Sequence, residues 1–306
     1  MRIFVTGASG FIGSAVVREL LGAGHELLGL ARSDRSAASV AAAGAQVHRG
    51  DLSDLQSLRA GAEASEGVIH TAFNHDFTVP RTEAAQTDRR AVEAMAEVLV
   101  DTDRPLVITS GTGGLAPGRL ATEESVPAAD LVGRYGVEDL AVSYVARGVR
   151  ASVVRFPPTV HGRGDHGFVS LLIDIARTKG VSGYPADGSN RWPAVHRLDA
   201  AHLFRLAVES APAGARLHGV AEEGIPVRAI AEVIGRQLNV PVESIPTERA
   251  AEHFGFLGAF FALDCPASST LTQELLGWRP VQPGLIADLE EGHYFEAARR
   301  LTPAQS

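Results

Sequence analysis

The chain has 306 residues, of which 45% are hydrophobic and 21% charged, and its formal net charge is −8. This composition is ordinary for a soluble globular protein, and the acidic balance argues against a general nucleic-acid-binding surface. No apolar run approaches the roughly 18 residues that a membrane helix needs, and no signal peptide is apparent. The single cysteine, Cys265, excludes an internal disulfide and a cysteine-based metal site. We therefore expect a cytoplasmic protein with a small-molecule substrate and no metal, membrane or nucleic-acid partner.

The first predicted elements are a buried strand, a glycine-rich turn and a helix. Residues Arg2–Thr6 are apolar in the middle, and apolar residues recur at helical spacing after Gly13. Gly7 permits a tight turn, Gly10 lets the backbone approach a pyrophosphate, and Gly13 lets the helix pack closely on the strand. The free N–H groups and the dipole of the helix N-terminus attract phosphate. This context predicts a dinucleotide-binding site.

Strands and helices then alternate through the first half of the chain. Further strands are predicted at Glu26–Ala31, Ala45–His48, Gly67–His70, Leu106–Thr109 and Ala151–Val154. Repeated βα units of this length predict a doubly wound α/β fold, with a parallel sheet that binds ligands beyond the C-terminal ends of its strands. We expect this domain to span residues 1–160. Residues 161–306 are expected to form a smaller C-terminal substrate-binding lid, which can return a strand or helix to the sheet.

The end of the second strand indicates which dinucleotide binds. An NAD site usually has an acidic residue there, about 20 residues past the glycines, to hold the ribose 2′-hydroxyl. Ala31 occupies that position, and Arg32 and Ser33 follow it. A guanidinium and a hydroxyl suit a 2′-phosphate, so the sequence favours NADP(H). Asp34 keeps NAD(H) open, because a small shift of the strand end would bring its carboxylate to the site.

At this point the chain resembles a known family. Thr6–Gly13 (TGASGFIG) resembles the TGxxGxxG fingerprint of the extended short-chain dehydrogenase/reductases, the NAD-dependent epimerase/dehydratase group. Asp51 and Leu52 are similar to its adenine contact, and the segment after His70 to its ribose contact. The resemblance covers residues 1–205 and implies a Rossmann fold and, by family habit, a homodimer through the helices near 90–100 and 137–146. The cofactor-binding residues expected from pattern and resemblance are Gly7, Ser9, Gly10, Phe11, Ile12, Gly13, Arg32, Ser33, Asp51, Leu52, Thr71, Ala72 and Pro157.

The family's catalytic pattern is present only in part. The resemblance implies a serine or threonine after the fifth strand, and either Ser110 or Thr112 fits that role. It also implies a Tyr-x-x-x-Lys pair, whose lysine lowers the pKa of the tyrosine. Tyr135 stands in a suitable place, but Asp139 occupies the lysine position. The only lysine of the chain, Lys179, is far away in sequence.

Two explanations for proton transfer remain open. In the first, Tyr135 is the proton donor and Arg134 or the positive nicotinamide ring lowers its pKa. In the second, proton transfer has moved to His75 or its neighbour Asp76 after the fourth strand, because histidine titrates near neutral pH. Arg134 and Glu138 are also four residues apart, so it is open too which of the two pairs occupies the Tyr and Lys positions of the family pattern.

Together these features predict an NADP(H)-dependent oxidoreductase. It would transfer a hydride to or from a carbonyl or alcohol carbon of a small or medium organic substrate. A nucleotide-sugar epimerase or dehydratase is the alternative enzyme, although the second half has no obvious basic cluster for a diphosphate. The missing lysine supports a further alternative, a non-catalytic module that senses NADP(H).

Overall fold

The computed structural model describes residues 1–74, 79–127 and 132–296, with the backbone alone for 132–135. Its strands are β1 (Arg2–Thr6), β2 (Glu26–Ala31), β3 (Gln46–Arg49), β4 (Gly67–His70), β5 (Pro105–Gly111), β6 (Arg150–Phe156), β7 (Thr159–His161), β8 (Ser182–Pro185), β9 (Arg191–His196), β10 (Arg216–His218), β11 (Glu222–Pro226) and β12 (Val242–Ile245). Its α-helices are α1 (Phe11–Gly22), α2 (Asp34–Ala42), α3 (Leu55–Glu63), α4 (Arg81–Val98), α5 (Val132–Ser143), α6 (Phe168–Lys179), α7 (Arg197–Ser210), α8 (Val227–Leu238), α9 (Ala250–Phe254), α10 (Leu257–Phe261), α11 (Thr270–Leu276) and α12 (Leu285–Glu290). None of these described helices is both long and apolar enough to cross a membrane.

Seven of the described strands form one parallel sheet in the order β3-β2-β1-β4-β5-β6-β10. The order of strand addition reverses between β1 and β4. In such sheets the crevice at the reversal, beyond the C-terminal strand ends, is where ligands bind. The predicted doubly wound α/β fold is therefore confirmed.

Two apolar layers sandwich this sheet. Buried side chains of α1 and α7 pack on one face, and those of α3, α4 and α5 pack on the other. The central strands are buried on both faces, which explains why they appear in the sequence as short continuous apolar runs rather than as alternating ones. The strand ends are thereby fixed rigidly in front of the crevice.

Most of the chain beyond residue 161 forms a second apolar core. Two small sheets, β11-β9-β7 and β12-β8, pack with α6, α8, α9, α10 and α12 around the buried ring of Trp192. Three elements of this half lie elsewhere: α7 packs on α1, β10 pairs with β6 at one edge of the main sheet, and α11 lies against α7 and β10. The division into domains at residue 160 stays a prediction.

Candidate active site

The glycine-rich turn after β1 packs tightly against the start of α1. Gly7 has a φ of +69°, and its backbone oxygen accepts a hydrogen bond of 2.8 Å from Gly10 N. A Cβ at Gly13 would lie 2.0 Å from Gly7 O, so α1 can approach the turn only because residue 13 is glycine. No side chain caps the start of α1 at Gly10, which leaves the first N–H groups available to an anion. These residues fit the pyrophosphate of a dinucleotide.

Every predicted residue of the turn lies at the C-terminal end of β1 or in the first turn of α1. Ser9 is exposed, Phe11 and Ile12 are half-buried, and Gly13 is buried. Thr71 and Ala72 lie against the turn, since a Cβ at Gly7 would be 2.6 Å from Thr71 Oγ1 and 2.8 Å from Ala72 N. Residues 71–72 and the turn, 64 positions apart in sequence, thus form one surface.

A buried hydrogen-bonded chain supports this surface from below. The His70 ring lies between Thr6 and Asp88, with 2.7 Å from Nδ1 to Thr6 Oγ1 and 2.9 Å from Nε2 to Asp88 Oδ1. Because the carboxylate only accepts, Nε2 donates to it, and Nδ1 of an uncharged ring accepts from the threonine hydroxyl. Thr6 Oγ1 in turn accepts from Ala72 N at 3.3 Å. The chain connects α4 to the surface beside Gly7.

We expect Asp88→Ala to lower the free energy of unfolding by about 1–3 kcal/mol, because it leaves the buried His70 Nε2–H without an acceptor. Urea denaturation measures the change. Asp139→Ala is the matched control: Asp139 pairs with Arg216 at 3.0 Å on the surface, where such pairs contribute about 0–1 kcal/mol. Equal losses in the two variants would contradict a stabilising role for the buried chain.

The ends of β2 and β3 form the expected adenosine side of the crevice. Ser33 caps α2, with its hydroxyl accepting from Ser36 N at 3.2 Å, and Arg32 beside it is exposed. Asp34 pairs with Arg49 at 2.6 Å. Ala31 and Arg49 are register partners on adjacent parallel strands, so these charges surround one strand end.

Asp51 and Leu52 follow β3 on the same side of the crevice. One carboxylate oxygen of Asp51 accepts from Ser53 N and Ser53 Oγ, at 2.7 and 2.6 Å. These hydrogen bonds, with a smaller contribution from the charge of Arg32, hold the pKa of Asp51 below its usual value. The other oxygen is not needed for this local structure. Leu52 is half-buried against the core below it.

The two hydroxyls predicted after the fifth strand have different surroundings. Ser110 Oγ is buried and has no hydrogen-bond partner among the described residues. Thr112 is 1% exposed and its hydroxyl makes a long hydrogen bond of 3.5 Å to Phe156 O. Pro157 is buried directly after β6, the strand paired with β5. Of the two hydroxyls, Ser110 is the one left to bind a further group.

The structure does not describe the side chains that were expected to donate the proton. The side chain of Tyr135 and the whole of His75 lie outside the described residues, although the backbone of residue 135 belongs to α5. The described part of α5 does show the surroundings of Asp139. Asp139 is exposed and pairs with Arg216, so it does not replace the family lysine at the crevice.

Sequence reasoning missed a buried ion pair between α5 and the end of β6. Glu138 and Arg155 are both almost fully buried, and Arg155 Nη2 lies 2.7 Å from Glu138 Oε2. Arg155 also donates to the backbone oxygens of Glu123 and Ser125, which fixes the segment after β5. The signal in the sequence that could have indicated this pair was a charged residue, Glu138, placed between Val137 and Ala141, which are spaced as on one helix face and are buried.

Comparison with known proteins gives consistent results. The profile of the NAD dependent epimerase/dehydratase family matches residues 3–218. An uncharacterized protein of Schizosaccharomyces pombe is 52% identical over 96% of this chain and 100% of its own length. A 4-hydroxy-2-methyl-3-oxo-4-farnesyl-3,4-dihydroquinoline-1-oxide ketoreductase of Stigmatella aurantiaca is 28% identical over 83% of this chain and 80% of its own.

Among solved structures, DesIV (dTDP-glucose 4,6-dehydratase) from Streptomyces venezuelae with NAD and TYD bound has the same fold. Its TM-score is 0.79 at 20% identity, with 98% of each chain covered. The family resemblance inferred from the sequence is thus confirmed, and with it an NAD(P)-dependent class of enzyme. The chain belongs to the NAD dependent epimerase/dehydratase family.

Proposed function

We propose that the chain is an NADP(H)-dependent oxidoreductase that transfers a hydride to or from a carbonyl or alcohol carbon of a small or medium organic substrate. The observation that carries this proposal is Ser110 Oγ, a buried hydroxyl at the C-terminal end of β5 with no partner among the described residues. Such a donor stabilises a substrate oxygen as negative charge develops on it. The bound nicotinamide supplies or accepts the hydride.

The proton that accompanies the hydride requires a second group. Tyr135 or His75 is proposed for this task, and each has an argument from the sequence. Without a nearby cation, a tyrosine with a pKa near 10 is a poor base at neutral pH, whereas a histidine titrates there. Turnover of Tyr135→Phe and His75→Ala, measured side by side across pH, decides between them. An unchanged turnover in either variant removes that residue from the mechanism.

The preference for NADP(H) rests on the charges at the end of β2. Arg32 is exposed at the position where a 2′-phosphate is expected. Asp34 would favour NAD(H), but its carboxylate is neutralised by Arg49 at 2.6 Å. Asp34 and Asp51 balance part of the positive charge there, so the support for a phosphate comes from Arg32, whose exposed guanidinium suits a phosphate better than a hydroxyl.

We expect Arg32→Gln to weaken NADPH binding about tenfold and to leave NADH binding unchanged, because a charge-assisted hydrogen bond contributes about 1.5 kcal/mol. Titration of the cofactor's fluorescence gives both dissociation constants. Arg249→Gln, which loses an exposed surface arginine paired with Glu252, is the control for net charge. A parallel loss of NADPH and NADH affinity would contradict a 2′-phosphate contact.

The likeness to a dTDP-glucose dehydratase favours one other enzyme, in which the hydride returns to the same substrate. A non-catalytic NADP(H) sensor is the third candidate, supported by Asp139 in the family's lysine position. Absorbance of NADPH and NADH, followed over a panel of ketones, aldehydes and imines, separates these functions. Consumption of NADPH supports the reductase. Binding without consumption overturns it in favour of the epimerase, the dehydratase or the sensor.

A further inference from the structure

The C-terminal end of the described chain reaches back to the loop that follows β7. We call residues 288–296 the C-terminal segment and residues 162–167 the β7 loop. Asp288 contacts His161 Nδ1 at 2.8 Å and His293 Nε2 at 2.9 Å, one with each carboxylate oxygen. Burial raises the pKa of Asp288, but the hydrogen bonds from the two imidazoles outweigh it and keep that pKa below its usual value. A buried carboxylate thus fixes the base of the β7 loop.

The hydroxyl of Tyr294 holds the loop itself. It accepts a hydrogen bond of 3.0 Å from Gly162 N and donates one of 3.1 Å to Asp165 Oδ2. The other oxygen of Asp165 accepts from Gly167 N at 2.6 Å. The phenol oxygen of Tyr294 therefore bonds directly to Gly162, the first residue of the loop. Through Asp165 it is also connected to Gly167, the last residue of the loop. Without that oxygen, Gly162 N and Asp165 would each lose a partner inside a half-buried site.

The opposite side of the β7 loop contacts the glycine-rich turn. The ring of His166 lies edge-on to that of Phe11, with 5.8 Å between centroids. The guanidinium of Arg197 stacks on Phe11 at 4.6 Å and donates to Arg163 O at 2.8 Å and to Ser14 Oγ at 3.1 Å. Phe11 is the first residue of α1, at the expected pyrophosphate position. The loop thus lies between the C-terminal segment and the dinucleotide turn.

We propose that Asp288 and Tyr294 are positioning residues for the dinucleotide, which they affect through the β7 loop. They hold the loop against Phe11 before the cofactor arrives. Binding then costs less conformational entropy than if the loop had to be ordered at that moment. This inference rests on the proposed function only in requiring that a nicotinamide dinucleotide binds at the turn. By this inference, residues outside 3–218, the range that the family profile matches, contribute to cofactor affinity.

Tyr294→Phe tests the proposal, because it removes one oxygen and keeps the ring. We expect the Kd for NADPH, or for NADH if the wild type binds that more tightly, to rise about 3- to 10-fold, as for the loss of a net hydrogen bond or two. Hydrogen exchange of the amides in the β7 loop should be faster in the variant, and the cofactor should slow it. Tyr144→Phe loses a comparable hydrogen bond of 2.7 Å, to Glu97 and away from the turn, and should leave the Kd unchanged.

The possible outcomes distinguish a failure of this inference from a failure of the proposed function. A variant with a lower Tm but an unchanged Kd would show that Tyr294 merely stabilises the fold, and would overturn the inference while the oxidoreductase proposal stands. A wild type that binds neither NADPH nor NADH would overturn both. Asp288→Asn should move the Kd in the same direction as Tyr294→Phe. Should Asp288→Asn not fold, Tyr294→Phe carries the test.

Discussion

Ser110→Ala is expected to lower kcat/KM for the carbonyl substrate about 10²–10³-fold, the effect of removing one donor to a developing oxyanion. Ser110 Oγ is buried near the C-terminal end of β5 and has no partner among the described residues, so its removal leaves no protein group unsatisfied. For that reason the Kd for NADPH and the Tm should stay near their wild-type values. Steady-state kinetics with the best substrate of the carbonyl panel, together with cofactor titration, measure all three quantities.

Thr112→Val is the matched control for this result. The Thr112 hydroxyl already bonds Phe156 O and the residue is 1% exposed, so its loss should affect stability more than turnover. A large fall of kcat in Thr112→Val with an active Ser110→Ala would reverse the assignment of the two hydroxyls. Full activity in both variants would remove this segment from the mechanism.

The strands of the first half could be predicted from the sequence because each of them is a local signal. The bounds Arg2–Thr6, Glu26–Ala31 and Gly67–His70 agree with the structure, since apolar runs between turn residues mark buried strands. Helix α5 begins at Val132 rather than at the expected Val137. Gly133 and Gly136 lower the intrinsic helix propensity of its first turns, which is why the sequence indicated the helix only from Val137.

What the sequence could not indicate depends on contacts between distant residues. The pair β8 and β12 joins two four-residue strands about 60 positions apart, and neither is long enough to show a period. The same holds for hydrogen-bonded side chains: His161 and Asp288 are 127 positions apart, and no local pattern pairs them. The glycine spacing before α1 is different, because it describes one continuous turn whose steric demands lie within seven residues.

The largest effect on cofactor binding is expected from Gly13→Ala. The added Cβ would lie 2.0 Å from the oxygen and 2.7 Å from the carbonyl carbon of Gly7, and these are backbone atoms that cannot rotate away. Helix α1 must therefore move off the turn, and its first N–H groups move with it. We expect the Kd for NADPH to rise about 100-fold, equivalent to roughly 2.8 kcal/mol and within the range of overpacking costs.

Gly22→Ala is the control for this substitution, since it makes the same chemical change in the same helix. A Cβ at Gly22 would meet nothing within 4 Å, so this variant should keep its NADPH affinity and gain about 0.4–1 kcal/mol of stability. The contrast isolates the close approach of α1 to the turn from any general effect of alanine on α1. If Gly13→Ala bound NADPH as tightly as Gly22→Ala, the helix N-terminus would not be the pyrophosphate site, and the proposed function would lose its cofactor.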